Sequence, residues 1–172
     1  NRLQLQINLD ENGRHWNNWG QSIPLSAFVN LPADLEAKQD VRFELRREAG
    51  LIAFRGSFEG GRGVGYVTFT PNREFARVME QQTNESISDR ELFSYAVLDV
   101  SEAFVKEMQA LGFAGLTLAD ARKLRIHGVT SDYVREIRAA GLGGADLEDV
   151  VQLRIHGVTA EYAPQMRALA PE

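Results

Sequence analysis

The sequence predicts an α+β fold: a small antiparallel β-sheet domain over residues 1–71, then an array of 29-residue helix-pair (αα) repeats over residues 72–172. Three observations point to it. Apolar and polar residues alternate along the first stretch, glycines separate two later apolar runs, and the second half resembles itself at an offset of 29 residues.

Leu3, Leu5, Ile7 and Leu9 alternate with Gln4, Gln6 and Asn8, the period of a half-buried strand. Asp10-Glu11-Asn12-Gly13 is a turn signal. The stretch His15-Trp16-Asn17-Asn18-Trp19-Gly20, with Ser22-Ile23-Pro24-Leu25 after it, reads as a long connection. Trp16 and Trp19 are core material for a small sheet. With the amide side chains between them they also offer a stacking surface to a carbohydrate or peptide, which makes them the ligand-binding candidates.

Val41, Phe43 and Leu45 mark a second strand. Leu51–Phe58 and Val64–Thr70 form a hairpin around Glu59-Gly60-Gly61-Arg62-Gly63. Gly56, Gly63 and Gly65 suggest bulges or close backbone approach. A sheet of about four antiparallel strands is small, and is expected to lean on the helices that follow.

In the second half, Lys123-Leu124-Arg125-Ile126-His127-Gly128-Val129-Thr130 recurs as Gln152-Leu153-Arg154-Ile155-His156-Gly157-Val158-Thr159. Phe75, Phe104, Tyr133 and Tyr162 keep the same spacing, as do Met79, Met108, Ile137 and Met166. Units therefore start near residues 72, 101, 130 and 159. Asn72, Ser101, Thr130 and Thr159 stand three residues before the aromatics and suit N-caps, with Ser88, Thr117 and Asp146 as a second cap series. Ser88 with Glu91 has capping-box spacing, and Thr117 with Asp120 and Asp146 with Asp149 are shorter acidic versions.

The first helix of each unit is expected to end near Gly112 or Gly141, and the second at Gly128 or Gly157. The apolar positions of the second helix are Leu118, Ala121, Leu124 and Ile126, then Leu147, Val150, Leu153 and Ile155. Two short helices cannot bury these faces alone, so neighbours must stack. The copy before them is degenerate, with Leu98-Asp99 in place of His-Gly, and Pro164 and Ala170-Pro171-Glu172 suggest a broken last helix.

Composition narrows the function classes. The chain has 172 residues and a net charge of −5, with 8 basic and 8 acidic side chains in residues 1–72 and 11 and 16 in the remainder. Without a basic stripe, nucleic acid is not an expected partner. No run is apolar enough to insert in a membrane. Cysteine is absent, which removes disulfides, thiol nucleophiles and cysteine-based zinc sites. The chain opens at Asn1 without an initiator Met and is read as a mature or excised piece.

No catalytic residue is expected. His127 and His156, with His15, are weak metal candidates; their equivalent places in successive units put the two about one unit apart. The competing reading has each imidazole finishing a helix by bonding a terminal carbonyl. H-E-x-x-H and G-x-S-x-G are both missing. The Gly60–Gly65 glycines join strand to strand and so lack the helix N-terminus of a phosphate loop. Glu102, Asp132 and Glu161 fall in first turns of helices, and Arg125 and Arg154 are expected to pair with such acids. No cofactor is implied.

The R-I-H-G-V-T repeat followed by Asp132-Tyr133-Val134-Arg135-Glu136-Ile137-Arg138-Ala139-Ala140-Gly141 resembles a segment of bacterial proteins of poorly defined function. In some of them it follows a membrane metallopeptidase domain of the β-lactam-sensor type. Phe54-Arg55-Gly56-Ser57-Phe58, Gly65, Phe69-Thr70-Pro71-Asn72 and Leu92-Phe93 resemble the sheet portion that accompanies those repeats. The resemblance implies an appended sensory or interaction region outside the cytoplasm, and carries over no catalytic residue. The expected function is a non-catalytic binding or sensor module that meets a protein or cell-envelope partner through its repeat and sheet surfaces. The alternatives are a small-ligand or carbohydrate receptor centred on Trp16 and Trp19, a structural spacer, and a metal-dependent hydrolase using the three histidines.

Overall fold

Strand β1 (Arg2–Glu11) pairs antiparallel with β2 (Arg14–Pro24) in a two-stranded sheet of its own. The structure, a computed structural model, describes residues 1–11, 14–142, 144–162 and 165, and for residues 9–11 and 14–18 the backbone alone. Asn12-Gly13 of the expected turn thus lie outside the described residues, as do Pro164, Met166 and Ala170-Pro171-Glu172. On either side of that turn Glu11 and Arg14 are paired.

The long connection expected over His15–Leu25 is, up to Pro24, strand β2. A β-bulge hid it. Asn8 pairs with Asn18 but Leu9 pairs with Trp16, so β2 carries one extra residue and its alternation changes phase. Past the bulge the pattern is regular: Leu3, Leu5 and Ile7 oppose Ile23, Gln21 and Trp19.

A single 3-10 turn (Leu25–Ala27) leads into the second sheet, ordered β3 (Phe28–Val29), β4 (Gln39–Arg47), β5 (Gly50–Glu59), β6 (Arg62–Pro71). The expected single sheet of about four strands is therefore two sheets. Phe28–Val29, too short for a periodicity signal, completes the larger one. Val41, Phe43, Leu45, Ile52, Phe54 and Phe58 fill its inner face. The Phe43 and Phe54 rings stack at 4.7 Å, with Phe28 edge-on to both.

Gly60 and Gly61 make the β5–β6 turn with φ of 57° and 72°, where a side chain would be strained. Of the two meanings open for Gly56 and Gly65, close approach is the one observed. They face each other with no register shift, and a Cβ on Gly56 would stand 2.1 Å from the Val64 carbonyl oxygen.

Among the described residues six helices follow: α1 (Arg73–Thr83), α2 (Asp89–Leu98), α3 (Glu102–Ala110), α4 (Leu118–Ile126), α5 (Ser131–Ala139) and α6 (Leu147–Ile155). The chain is thus α+β, sheets first and helices after. It divides into two compact units, Asn1–Val78 with Ser86–Asp99, and Met79–Glu85 with Val100–Glu172. Most of α1 (Arg73–Val78) and all of α2 fall in the unit that holds the sheets. Every residue from Leu92 to Leu98 is buried, as befits a helix enclosed on all sides.

The caps follow from local chemistry. Asn72, Ser101, Thr130 and Thr159 each accept a bond from the backbone N–H three residues on, at 3.1–3.3 Å. Ser88, Thr117 and Asp146 all form full capping boxes, so the shorter aspartates also reach back to the cap N–H. At the C-terminal ends, Val129 N–H bonds Leu124 O at 2.9 Å and Gly128 N–H bonds Arg125 O at 3.1 Å, a Schellman closure. Asp99, where the later copies have glycine, adopts the same left-handed conformation at φ 60°. Thr117→Ala is expected to cost about 1 kcal/mol and Thr117→Asp much less, read as shifts in the urea midpoint.

Candidate functional site

Of the two tryptophans, Trp19 meets Phe93 of α2 edge-on at 6.4 Å between ring centroids, and Phe69 meets the same ring at 5.4 Å. Its ring is only partly exposed, and among the described residues its buried indole N–H has no hydrogen-bond partner. Trp19 thus takes part in the packing of its unit. Trp16 pairs with Leu9 in the hairpin, and its side chain lies outside the described ones.

A groove of about 900 Å³ in the first unit was not anticipated from the sequence. Leu3, Leu5 and Ile7 of β1 line it, opposite the rings of Phe43, Phe54 and Phe58. Gly63 lies under Phe58, where a Cβ would stand 3.0 Å from the ring, so the glycines leave the space a side chain would take. Arg2, Glu36 and Arg62 add the charged groups. Its size suits a small ligand.

In the second unit the helices are joined through aromatic and basic side chains. Arg154 lies over the Tyr133 ring at 4.8 Å and Arg125 over Phe104 at 5.0 Å, each guanidinium covering the aromatic 21 residues earlier. For Arg154, the acid partner expected from sequence gives way to a ring face, a contact worth about 0.5–2 kcal/mol. Tyr133 adds a hydrogen bond from its hydroxyl to the Val158 carbonyl at 2.8 Å. Burial pushes its phenol pKa up, opposed by the Arg154 charge. Lys123 pairs with Glu148, and that hydrogen bond, aided by Gln152, holds the Glu148 carboxyl below its ordinary range. These pairs are exposed and contribute little stability.

His127 and His156 close α4 and α6 through their backbone N–H groups, which bond Lys123 O at 3.2 Å and Gln152 O at 3.0 Å. Among the described residues neither imidazole bonds a helix carbonyl, and no cluster of three metal-ligating side chains is present. The side chain of His15 is not among those described.

The residues misjudged from sequence are Ile126 and Ile155. The sequence counts both among the apolar positions of the second helix, yet each is 51% exposed. Leu118, Ala121 and Leu124 form the buried arc of α4, and Ile126 falls roughly 140° from its middle at 3.6 residues per turn. Helical spacing carries that signal.

No described helix is long and apolar enough to cross a membrane. No protein-family model, curated protein or solved structure matches the chain.

Proposed function

We propose that this chain is a non-catalytic binding or sensor module of a bacterial envelope protein, working outside the cytoplasm, with an array of 29-residue helix pairs in its second unit. The array is supported by helix placement: α3 and α5 start at Glu102 and Ser131, and α4 and α6 start at Leu118 and Leu147, all nine residues long. Both offsets equal the sequence period.

One observation carries the binding role. Ile126 and Ile155 stand exposed at matching positions of α4 and α6, each followed by a histidine. A lone exposed isoleucine is ordinary. Two at the same offset make an apolar ladder of the kind stacked helix pairs present to partners. The partner this suits is a protein or cell-envelope component with an apolar contact surface.

The test is capture from native envelope extract on the immobilised chain, compared with the Ile126→Glu/Ile155→Glu double variant. A retained partner lost on the double variant is expected, with circular dichroism unchanged because both side chains are exposed. Equal retention by both chains, or none by either, would overturn the ladder as the binding surface.

A second reading, a small-ligand or carbohydrate receptor, is favoured by the groove between Leu3–Ile7 and the phenylalanines. A retained glycan or small molecule lost on Leu3→Asp or Trp16→Ala would support it. Retention of nothing specific leaves the structural spacer.

A further inference from the structure

Strand β6 ends the four-stranded sheet, so among the described residues one side of its backbone faces no strand. Natural sheet edges are guarded by short strands, lysines, internal prolines or bulges. β6 has none of these. It is ten residues long, and its pairing with β5 runs without a shift from Glu59↔Arg62 to Gly50↔Pro71. Its one charge, Arg62, and its one proline, Pro71, stand at its two ends. On its outer face Val64 is 78% and Tyr66 84% exposed.

We infer that β6 pairs antiparallel with β6 of a second copy about a two-fold axis at Tyr66, joining two four-stranded sheets into one of eight strands. The strand is self-complementary in that register. On the outer face Tyr66 opposes Tyr66, Val64 opposes Thr68 and Arg62 opposes Thr70. On the other face Gly65 opposes Val67 and Gly63 opposes Phe69. No like charges face each other, and aromatic and β-branched pairs of this sort stabilise a sheet. Arg55, which pairs with Tyr66 across β5–β6, is the nearest repeated charge. The two copies of Arg55 stand three strand spacings apart, about 14 Å, beyond the screening length of about 8 Å. An axis one residue earlier would centre the contact on Gly65, which has no side chain to contribute. At Tyr66 two rings, each 84% exposed in the single chain, come side by side.

Sedimentation of the chain is expected to give twice the monomer mass at high micromolar concentration. Tyr66→Lys and Tyr66→Glu should each give monomers, since each sets like charges across the axis, and mixing the two variants should restore the dimer. The chain has no cysteine, so Tyr66→Cys supplies a single thiol. Under mild oxidation it should cross-link into a dimer. Arg62→Cys should not, because the two copies of position 62 lie about 27 Å apart along antiparallel strands. Ile126→Glu/Ile155→Glu should leave the dimer intact, which separates this surface from the helical ladder. A chain that stays monomeric, a dimer that survives Tyr66→Lys, or equal cross-linking at positions 62 and 66 would each overturn the assignment.

Discussion

Gly56→Ala is expected to destabilise the first unit by about 3 kcal/mol, the upper range of overpacking costs. The obstruction is backbone, so no side-chain rotation relieves it. A Cβ on Gly56 would stand 2.1 Å from the Val64 carbonyl oxygen and 2.7 Å from the Gly65 Cα, and one on Gly65 would stand 2.3 Å from the Arg55 carbonyl oxygen. Strands β5 and β6 must separate locally, which strains ladder hydrogen bonds on both sides. Gly20→Ala is the control, because a Cβ there meets nothing within 4 Å. Its effect should stay within about 1 kcal/mol. Urea midpoints of the two variants decide the matter, with near-ultraviolet circular dichroism reporting the aromatic packing of the sheet. A Gly56→Ala variant as stable as Gly20→Ala would show that the strands approach less closely.

Leu124→Ala is expected to cost about 2–5 kcal/mol, as for other fully enclosed leucines. Leu153→Ala, 29 residues further on, should cost less than half as much. The two leucines share the local sequence Leu-Arg-Ile-His-Gly-Val-Thr, so local propensity predicts equal effects. Leu124 is 0% exposed, whereas Leu153 is only partly buried and lines an open groove with Leu142 and Ala145. The cost depends on how many neighbours surround the methyl groups removed, and Leu153 has fewer. Hydrogen exchange at the amides of α4 and α6 reads this within the second unit. Equal loss of protection in the two variants would contradict the unequal enclosure.

Both comparisons set residues with matching local sequence, or the same residue type, in different surroundings, and the boundary of what can be read from sequence lies there. The caps at Asn72, Ser88, Ser101, Thr117, Thr130, Asp146 and Thr159 were legible because a cap bonds groups only two or three residues away. The β5–β6 hairpin was legible from the glycines between its two apolar runs, while its two-residue turn, with Glu59 and Arg62 already paired, is tighter than the Glu59–Gly63 connection expected. Strand β2 was not, since one extra residue opposite Asn8 and Leu9 shifts its alternation, and only the pairing with β1 reveals the strand. The resemblance of Ala121–Thr130 to Val150–Thr159 was also legible, but it spoke for shared shape, not shared burial. Ile126, counted with the apolar positions of its helix, stands outside the buried arc by its helical angle and is exposed.

Short-range order therefore came from the chain itself: the order of sheet and helices, helix starts and stops, and the hairpin turn. These depend on backbone groups and side chains a few residues apart, whose energies neighbouring sequence sets directly. Folding in space decided the rest. It divided the strands between two sheets, drew α2 into the sheet unit, opened a groove facing Phe43, Phe54 and Phe58, turned Arg154 onto the ring of Tyr133, and left Ile126, Ile155 and the β6 edge uncovered. Burial and pairing across distant segments are sums over surfaces that meet only in the folded chain. The same leucine is therefore enclosed at position 124 and open at position 153.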